Sequence, residues 1–228
     1  MPPPGGAHQS NHRETRLNHN IAARSRTARG SGRGRILLLL ASAVLQAACT
    51  SPLPAVQWLR LPISPPQAGA PVAQPLGAVW QLMQPVLLPG HLDRDALLVP
   101  QGPAGLQALG GWRWAEPLRD SVPRLLREDL ASLLGPGRVW TAPLPIGMVV
   151  TRQLRVELSA LDVEPGGRGV RLRARWTLAD PRNLVQPSVE AVDFSVASSG
   201  ADAQALAVAH RLALWQLALR IAATPAPG

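Results

Sequence analysis

The chain has 228 residues, a formal charge of +9 and 46% apolar residues, which allows one domain or two small ones and excludes a disordered protein. Its apolar runs are all shorter than the roughly 20 residues that span a bilayer, so a multi-pass membrane protein is excluded. The single cysteine rules out an intramolecular disulfide framework and a cysteine-rich zinc module.

The positive charge is concentrated at the N-terminus. Residues 1–35 carry seven arginines and one acidic residue, which leaves a charge of only +3 for the rest of the chain. A nucleic-acid-binding protein needs a basic face on its folded part. We therefore expect no nucleic-acid partner.

An apolar run follows this basic stretch directly. Residues 36–45 are apolar or small, too few to span a membrane and typical of the central region of a signal peptide. The next residues, Gln46-Ala47-Ala48-Cys49, resemble the lipobox of bacterial lipoproteins, in which the chain is cut before a diacylated cysteine. The lipobox usually has Leu where this chain has Gln46. The alternatives are an ordinary secretory signal, which leaves Cys49 as a passive thiol, and a short buried helix.

The residue after the cysteine bears on the destination. Many enteric lipoproteins kept at the inner membrane have Asp there, whereas this chain has Thr50. The lipobox resemblance therefore implies a protein on the periplasmic leaflet of the outer membrane. In this interpretation residues 1–48 form a basic leader plus signal peptide, and residues 49–55 form a tether.

The first part of the mature domain predicts three strands. They lie at 56–61, 78–88 and 96–99, and loops rich in Pro and Gly separate them at 63–77 and 100–111.

A helix is predicted from Leu118 to Leu134, because apolar residues recur there at helical spacing. Pro123 fits if Asp120 or Ser121 caps the helix, and a start at Pro117 predicts a kink. Charged residues fall off the apolar stripe: Arg119, Arg124, Arg127, Glu128 and Asp129.

A long antiparallel hairpin follows. Residues 154–163 and 170–178 alternate between apolar and polar residues, and Glu164-Pro165-Gly166-Gly167 joins them. Pairing Val163 with Arg168 would mix the two faces.

One extra residue in the first strand repairs the alternation. We therefore predict a β-bulge at Ser159–Leu161, which brings Glu157 opposite Arg173 and Leu158 opposite Leu172.

The chain ends in a strand at 188–196 and a helix at 201–222 that is apolar nearly all round. Two apolar stripes predict either deep burial or a subunit contact, and an ordinary Ala-rich packed helix is equally consistent. The fold class expected for residues 56–222 is α+β: a single domain with a mainly antiparallel or mixed sheet and two helices packed on one face. Residues 223–228 form a tail.

Three segments resemble one family. They are residues 86–94 (VLLPGHLDR), residues 113–118 (RWAEPL) and residues 172–176 (LRARW). On these the chain is similar to the PqiC-type ABC-transport auxiliary lipoproteins, with likeness from about Trp58 to Ile221. The family's early tyrosine-rich strand is replaced here by Trp58-Leu59, since the chain has no Tyr.

The resemblance implies a non-enzymatic periplasmic component held by a lipid anchor. Its expected partners are an MCE-domain protein and an ABC permease and ATPase that move lipids or other hydrophobic compounds, and a homo-oligomer is also expected. The alternatives are a structural or assembly lipoprotein unrelated to transport, and a hydrolase with an unrecognised site, which would need a deep pocket with clustered titratable groups.

The residues themselves point to no catalytic chemistry. No HExxH, GxSxG, Walker A or GxGxxG motif occurs, and His91 and His210 are isolated in the sequence. Asp93 and Asp95 are separated by Arg94, which favours a turn over a metal site. We expect no catalytic residue, no cofactor and no metal.

A partner contact is a hypothesis for Trp112, Arg113, Trp114 and Glu116, because Trp and Arg are enriched at interface hot spots. The alternative is that both rings pack into the core and Arg113 pairs with Glu116.

A second hypothesis concerns Arg171, Arg173 and Arg175, which could bind anionic headgroups or an acidic partner. The alternative is a solvated sheet face on which acidic neighbours pair with them. Those neighbours would be Glu157, Asp193 and Glu190.

Overall fold

The computed structural model describes residues 55–64 and 78–225. The predictions for the signal peptide, for the lipid anchor at Cys49 and for most of the loop at 63–77 fall outside the described residues, as does the end of the tail.

The described residues form two sheets and two helices. The strands are β1 Gln57–Leu59, β2 Trp80–Leu82, β3 Ala96–Gln101, β4 Gly105–Trp114, β5 Val139–Trp140, β6 Arg152–Val163, β7 Gly169–Ala179 and β8 Ser188–Ala197. The helices are α1 Leu118–Leu134 and α2 Ala203–Ala222. Short 3-10 turns lie at Gly90–Leu92 and Pro165–Gly167.

Both sheets are mixed. The smaller has the strand order β1-β4-β3, with β1 parallel to β4 and β3 antiparallel to it. The larger has the order β5-β2-β6-β7-β8, with β2 parallel to both neighbours and β6, β7 and β8 antiparallel. With the two helices this is the single α+β domain that the sequence predicts.

The first half contains more strand than expected. Residues 100–111 are not a loop, because β3 and β4 form a hairpin that turns at Gly102, whose φ of +68° suits glycine. Most of β4 is exposed, so it lacks the apolar alternation that would reveal a strand. Strand β2 is shorter than predicted, and Leu87 contributes only a bridge to Glu157. The two-residue strand β5 was not predicted.

Helix α1 has the predicted bounds, and its apolar stripe is buried. Pro117 is the cap, so neither Asp120 nor Ser121 caps the helix, and the helix is continuous through Pro123. Asp129 was predicted to lie off the buried apolar stripe. That prediction was wrong, because its side chain is buried and only 2% exposed.

The predicted bulge is confirmed, since the β6–β7 register shifts between Leu158 and Ala160. The partners are two residues from those predicted: Glu157 lies opposite Arg175 and Leu158 opposite Ala174. The loop is longer than assumed, because the Glu164 amide donates to the Gly169 carbonyl at 2.8 Å.

Helix α2 packs against α1, β7 and β8 and covers their apolar face. Asp202 caps it by accepting from the amides of Gln204 and Ala205 at 3.0 Å. Among the described helices it alone is long and apolar enough to span a membrane, but 67% of its apolar window is buried within the domain, as in a core helix. Its second stripe is partly exposed, with Val208 45% exposed.

Candidate functional site

Trp114 lies where β4 leads into α1, and it belongs to the core. Its side chain is 4% exposed, and its ring meets the edge of His210 at 5.7 Å with an interplanar angle of 72°. The Trp114 amide donates to the Asp95 carbonyl at 2.5 Å. A partner could reach the half-buried Trp112 and the exposed Arg113, but not the ring of Trp114.

Arg113 and Glu116 do not pair with each other. Arg113 donates to Asp95 at 3.0 Å, and Glu116 accepts from Arg124 at 2.6 Å. The reason is that β4 ends between them, so Arg113 faces the start of β3 while Glu116 faces α1.

The outward face of β6, β7 and β8 carries a group of paired surface charges. We call this the arginine face, and it consists of Arg155, Glu157, Asp162, Arg171, Arg173, Arg175 and Asp193. Arg171 holds Asp193 with two bonds of 2.8 Å, and Arg173 reaches the same carboxylate at 3.0 Å. Arg175 pairs with Glu157 at 2.8 Å.

These contacts stabilise the ionised carboxylate. Hydrogen bonding from Arg171 lowers the pKa of Asp193 to about 2, and Arg173 adds to the effect. The expected partner Glu190 lies opposite the buried Trp176, on the other side of the sheet. Arg155 is exposed and has no ion pair within the described part of the chain.

A small cavity gathers the two histidines of the described residues. Its volume is about 20 Å³, and its polar lining is His91, Asp162 and His210 among apolar side chains. His91 contacts Asp162 at 2.5 Å. The residues that line the cavity include no Ser, Thr or Cys, and the space suits about one water.

His210 is buried, and it is held in place by the backbone. Its Nδ1 donates to the Leu206 carbonyl at 2.7 Å. Burial lowers the pKa of His210, which keeps the ring neutral near pH 7.

The two acidic residues of the turn at 93–95 are held by arginines. Asp93 accepts from Arg119 at 2.5 Å and Asp95 from Arg113. No cluster of three metal-ligating side chains occurs within residues 55–64 and 78–225.

The sequence prediction missed the main buried polar site. Arg211 of α2 is 0% exposed and donates to both carboxylate oxygens of Asp129, at 2.7 and 2.5 Å. It also donates to the carbonyls of Pro62 and Ile63, at 2.9 and 3.3 Å. Burial raises the pKa of Asp129, and the Arg211 guanidinium opposes that shift. The signal in the sequence was Arg211, a charge in the middle of an apolar helix, which needs a partner.

Comparison with protein families identifies the class. Residues 60–222 match the family described as the ABC-type transport auxiliary lipoprotein component. The match covers most of the chain, so the chain belongs to this family. It is thus a transport-associated lipoprotein of the cell envelope, and the family is one of transport components, not of known enzymes.

Solved structures agree on the fold. An uncharacterized protein is similar at 17% identity with a TM-score of 0.58, over 74% of this chain and 97% of its own. A Xanthomonas campestris protein of the DUF330 family is similar at 15% identity with a TM-score of 0.57, over 73% of this chain and 93% of its own. None of the curated proteins matches this chain.

Proposed function

We propose that acyl chains on Cys49 anchor this protein in the periplasmic leaflet of the outer membrane. There it serves as an auxiliary subunit of an MCE/ABC-type system that moves lipids or other hydrophobic compounds. The observation that carries the proposal is positional. The only cysteine of the chain follows an apolar run and precedes, by eleven residues, the segment that matches a family of transport lipoproteins.

The anchor has a physical rationale. Each buried methylene contributes about 0.8 kcal/mol, so one acyl chain binds a membrane only marginally, while two or three hold a protein there stably. Thr50 after the cysteine supports the outer membrane as the destination.

Two surfaces are proposed to contact the MCE-domain protein or the permease and ATPase. The first is the exposed part of the β4 end, Trp112 and Arg113. The second is the arginine face, where Arg155 supports an acidic partner because it makes no ion pair within the described residues. A homo-oligomer is part of the proposal, and the exposed Val208 on α2 supports it.

The anchor is tested by C49A in the full chain. The wild-type protein should stay with membranes after a high-salt wash and carry an acylated residue 49 in mass spectrometry, whereas C49A should be released into the soluble periplasm. T50A is the matched control, since it leaves the thiol intact. A wild-type protein with an unmodified thiol or an uncut leader would disprove the anchor.

The partners are tested by crosslinking and co-purification of the acylated protein. An MCE-domain protein, a permease and an ATPase should be recovered together. R113E should lower their recovery about tenfold if it removes a contact of roughly 1.4 kcal/mol, while R182E, an exposed arginine in the turn after β7, should not. Equal thermal stability of both variants shows that folding is intact. Recovery of assembly factors alone would favour the structural lipoprotein.

A further inference from the structure

Exposed apolar side chains lie at the start of the described domain. Val56 is 49% exposed, Trp58 66% and Ile63 58%. Trp58 is the most exposed of the seven tryptophans, because four others are buried and two are half-buried. We call Val56, Trp58, Arg60 and Ile63 the tether patch.

The tether patch is exposed on a backbone that is firmly held. Leu59 and Leu61 are 5% and 4% exposed and point into the core. The Leu59 carbonyl accepts from the Ala115 amide at 2.7 Å, and Arg211 holds the Pro62 carbonyl at 2.9 Å. Since side chains alternate along a strand, burial of Leu59 and Leu61 turns Val56, Trp58 and Arg60 outward.

Exposure of this kind calls for an occupant. A tryptophan that is two-thirds exposed on a fixed strand keeps apolar surface in contact with water and contributes little to the core. Arg60 lies beside Trp58, is exposed and has no ion pair in the described residues. The patch therefore combines apolar side chains with a cation that is available to an anionic partner.

The chain length to the anchor limits how far this patch can be from a membrane. Nine residues separate Cys49 from Trp58. A fully extended chain spans at most about 3.3–3.6 Å per residue, so Trp58 lies within roughly 30 Å of an acylated Cys49. Trp is enriched at the headgroup layer, where its ring is apolar and its N–H can bond, and Arg pairs with lipid phosphate.

We propose that the tether patch docks on the lipid headgroup layer of the leaflet that holds the anchor. The inference rests on the proposed acylation of Cys49 and extends it: the acyl chains attach the domain, and Trp58 and Arg60 fix its orientation on the bilayer. This adds a second membrane contact to the anchor, in the way that paired signals stabilise membrane binding.

The test uses the full acylated protein in vesicles of phosphatidylethanolamine and phosphatidylglycerol with brominated acyl chains, which quench tryptophan on contact. Trp58 should supply most of the quenched fluorescence, so W58F should lose more than half of the quenching. R60E should reduce quenching of Trp58 and make it more accessible to acrylamide. The matched control is W58F with V189W, which places a tryptophan at a similarly exposed position on β8 and should show little quenching.

Each other outcome overturns the inference. Suppose that Cys49 is acylated but the fluorescence of W58F is quenched as much as that of the wild type, or that the tryptophan of V189W is quenched as strongly as Trp58. Then no oriented lipid contact exists, while the proposed function stands. If Trp58 is protected from acrylamide only in the co-purified complex, the occupant is a protein. If mass spectrometry finds Cys49 unmodified, the proposed function fails, and this inference fails with it.

Discussion

Arg211 sits in the middle of an apolar helix and has no exposed surface. Moving a guanidinium out of water is costly, and only hydrogen bonds with good geometry can offset that cost. Arg211 has five N–H donors and makes four hydrogen bonds, to both oxygens of Asp129 and to the carbonyls of Pro62 and Ile63. The side chain therefore joins α1, α2 and the segment after β1.

Removing the carboxylate charge should destabilise the domain strongly. We expect D129N to lower the free energy of unfolding by roughly 3–5 kcal/mol, because it leaves the Arg211 charge buried and uncompensated. The measurement is denaturant unfolding.

Two controls make this specific. D93N breaks the surface pair with Arg119 and should cost at most about 1 kcal/mol. The double variant D129L/R211M should recover most of the loss, though not all, since two carbonyls lose their donor. If D129N lowered the free energy of unfolding no more than D93N does, the prediction would be wrong.

His210 should make the stability pH-dependent. Burial lowers its pKa below the ordinary 6.5, so the unfolded chain binds a proton that the folded chain does not. Stability is therefore full above pH 6.5 and falls as the pH drops toward the folded pKa, by at most about 1.36 kcal/mol per pH unit. Unfolding of the wild type and H210L at pH 7.5 and 5.5 measures it, and the difference between the two slopes isolates His210. Equal slopes would show that the ring is not kept neutral.

The β-bulge in β6 keeps the apolar side chains of both halves of the strand on the inward face. Leu158 and Leu161 both point inward although three residues apart, and the extra residue Ser159 makes that possible. Regular alternation would turn one half of β6 to the wrong face.

Deleting different residues of β6 should therefore have unequal effects. Loss of Ser159 removes the bulge and leaves Leu158 and Leu161 in regular inward alternation, so we expect the melting temperature to change little. Loss of Glu157 drives Leu158 to the solvent face, costs at least about 2 kcal/mol, and should lower the melting temperature by roughly 4–8 °C. Calorimetry compares the two deletions, and equal losses would contradict this account of the bulge.

At the scale of the whole molecule, net charge and core lie in different parts of the sequence. Residues 1–35 carry most of the net charge, while the hydrophobic core of the described residues runs from Leu59 to Ala222. A domain of this size can form one core without disulfides.

The chain starting at Thr50 should consequently fold without the leader or the cysteine. We expect one cooperative unfolding transition at the melting temperature of the uncut 228-residue chain, with calorimetric and van't Hoff enthalpies that agree. Adding a reductant should change neither. A lower melting temperature or a second transition would show that residues 1–49 contribute to the core.

The sequence by itself determined α1, the position of the bulge and the family. Each depends on a local pattern: helical spacing of leucines, a slip in strand alternation, and short motifs such as RWAEPL. Such periodicity depends only on residues close in sequence, so it can be recognised without knowing which distant segments pack together. The lipid anchor at Cys49 also comes from such a pattern and stays a prediction.

Only the tertiary structure decided the pairings. Asp129 and Arg211 are 82 residues apart in the sequence. Arg113 pairs with Asp95, although Glu116 is closer in sequence, because β3 pairs with β4 and brings Asp95 beside it. Strand β4 is exposed and glycine-rich, so its backbone pairing with β3 defines it and no apolar alternation reveals it. Long-range partners depend on the path of the whole chain, which residue spacing along the sequence does not encode.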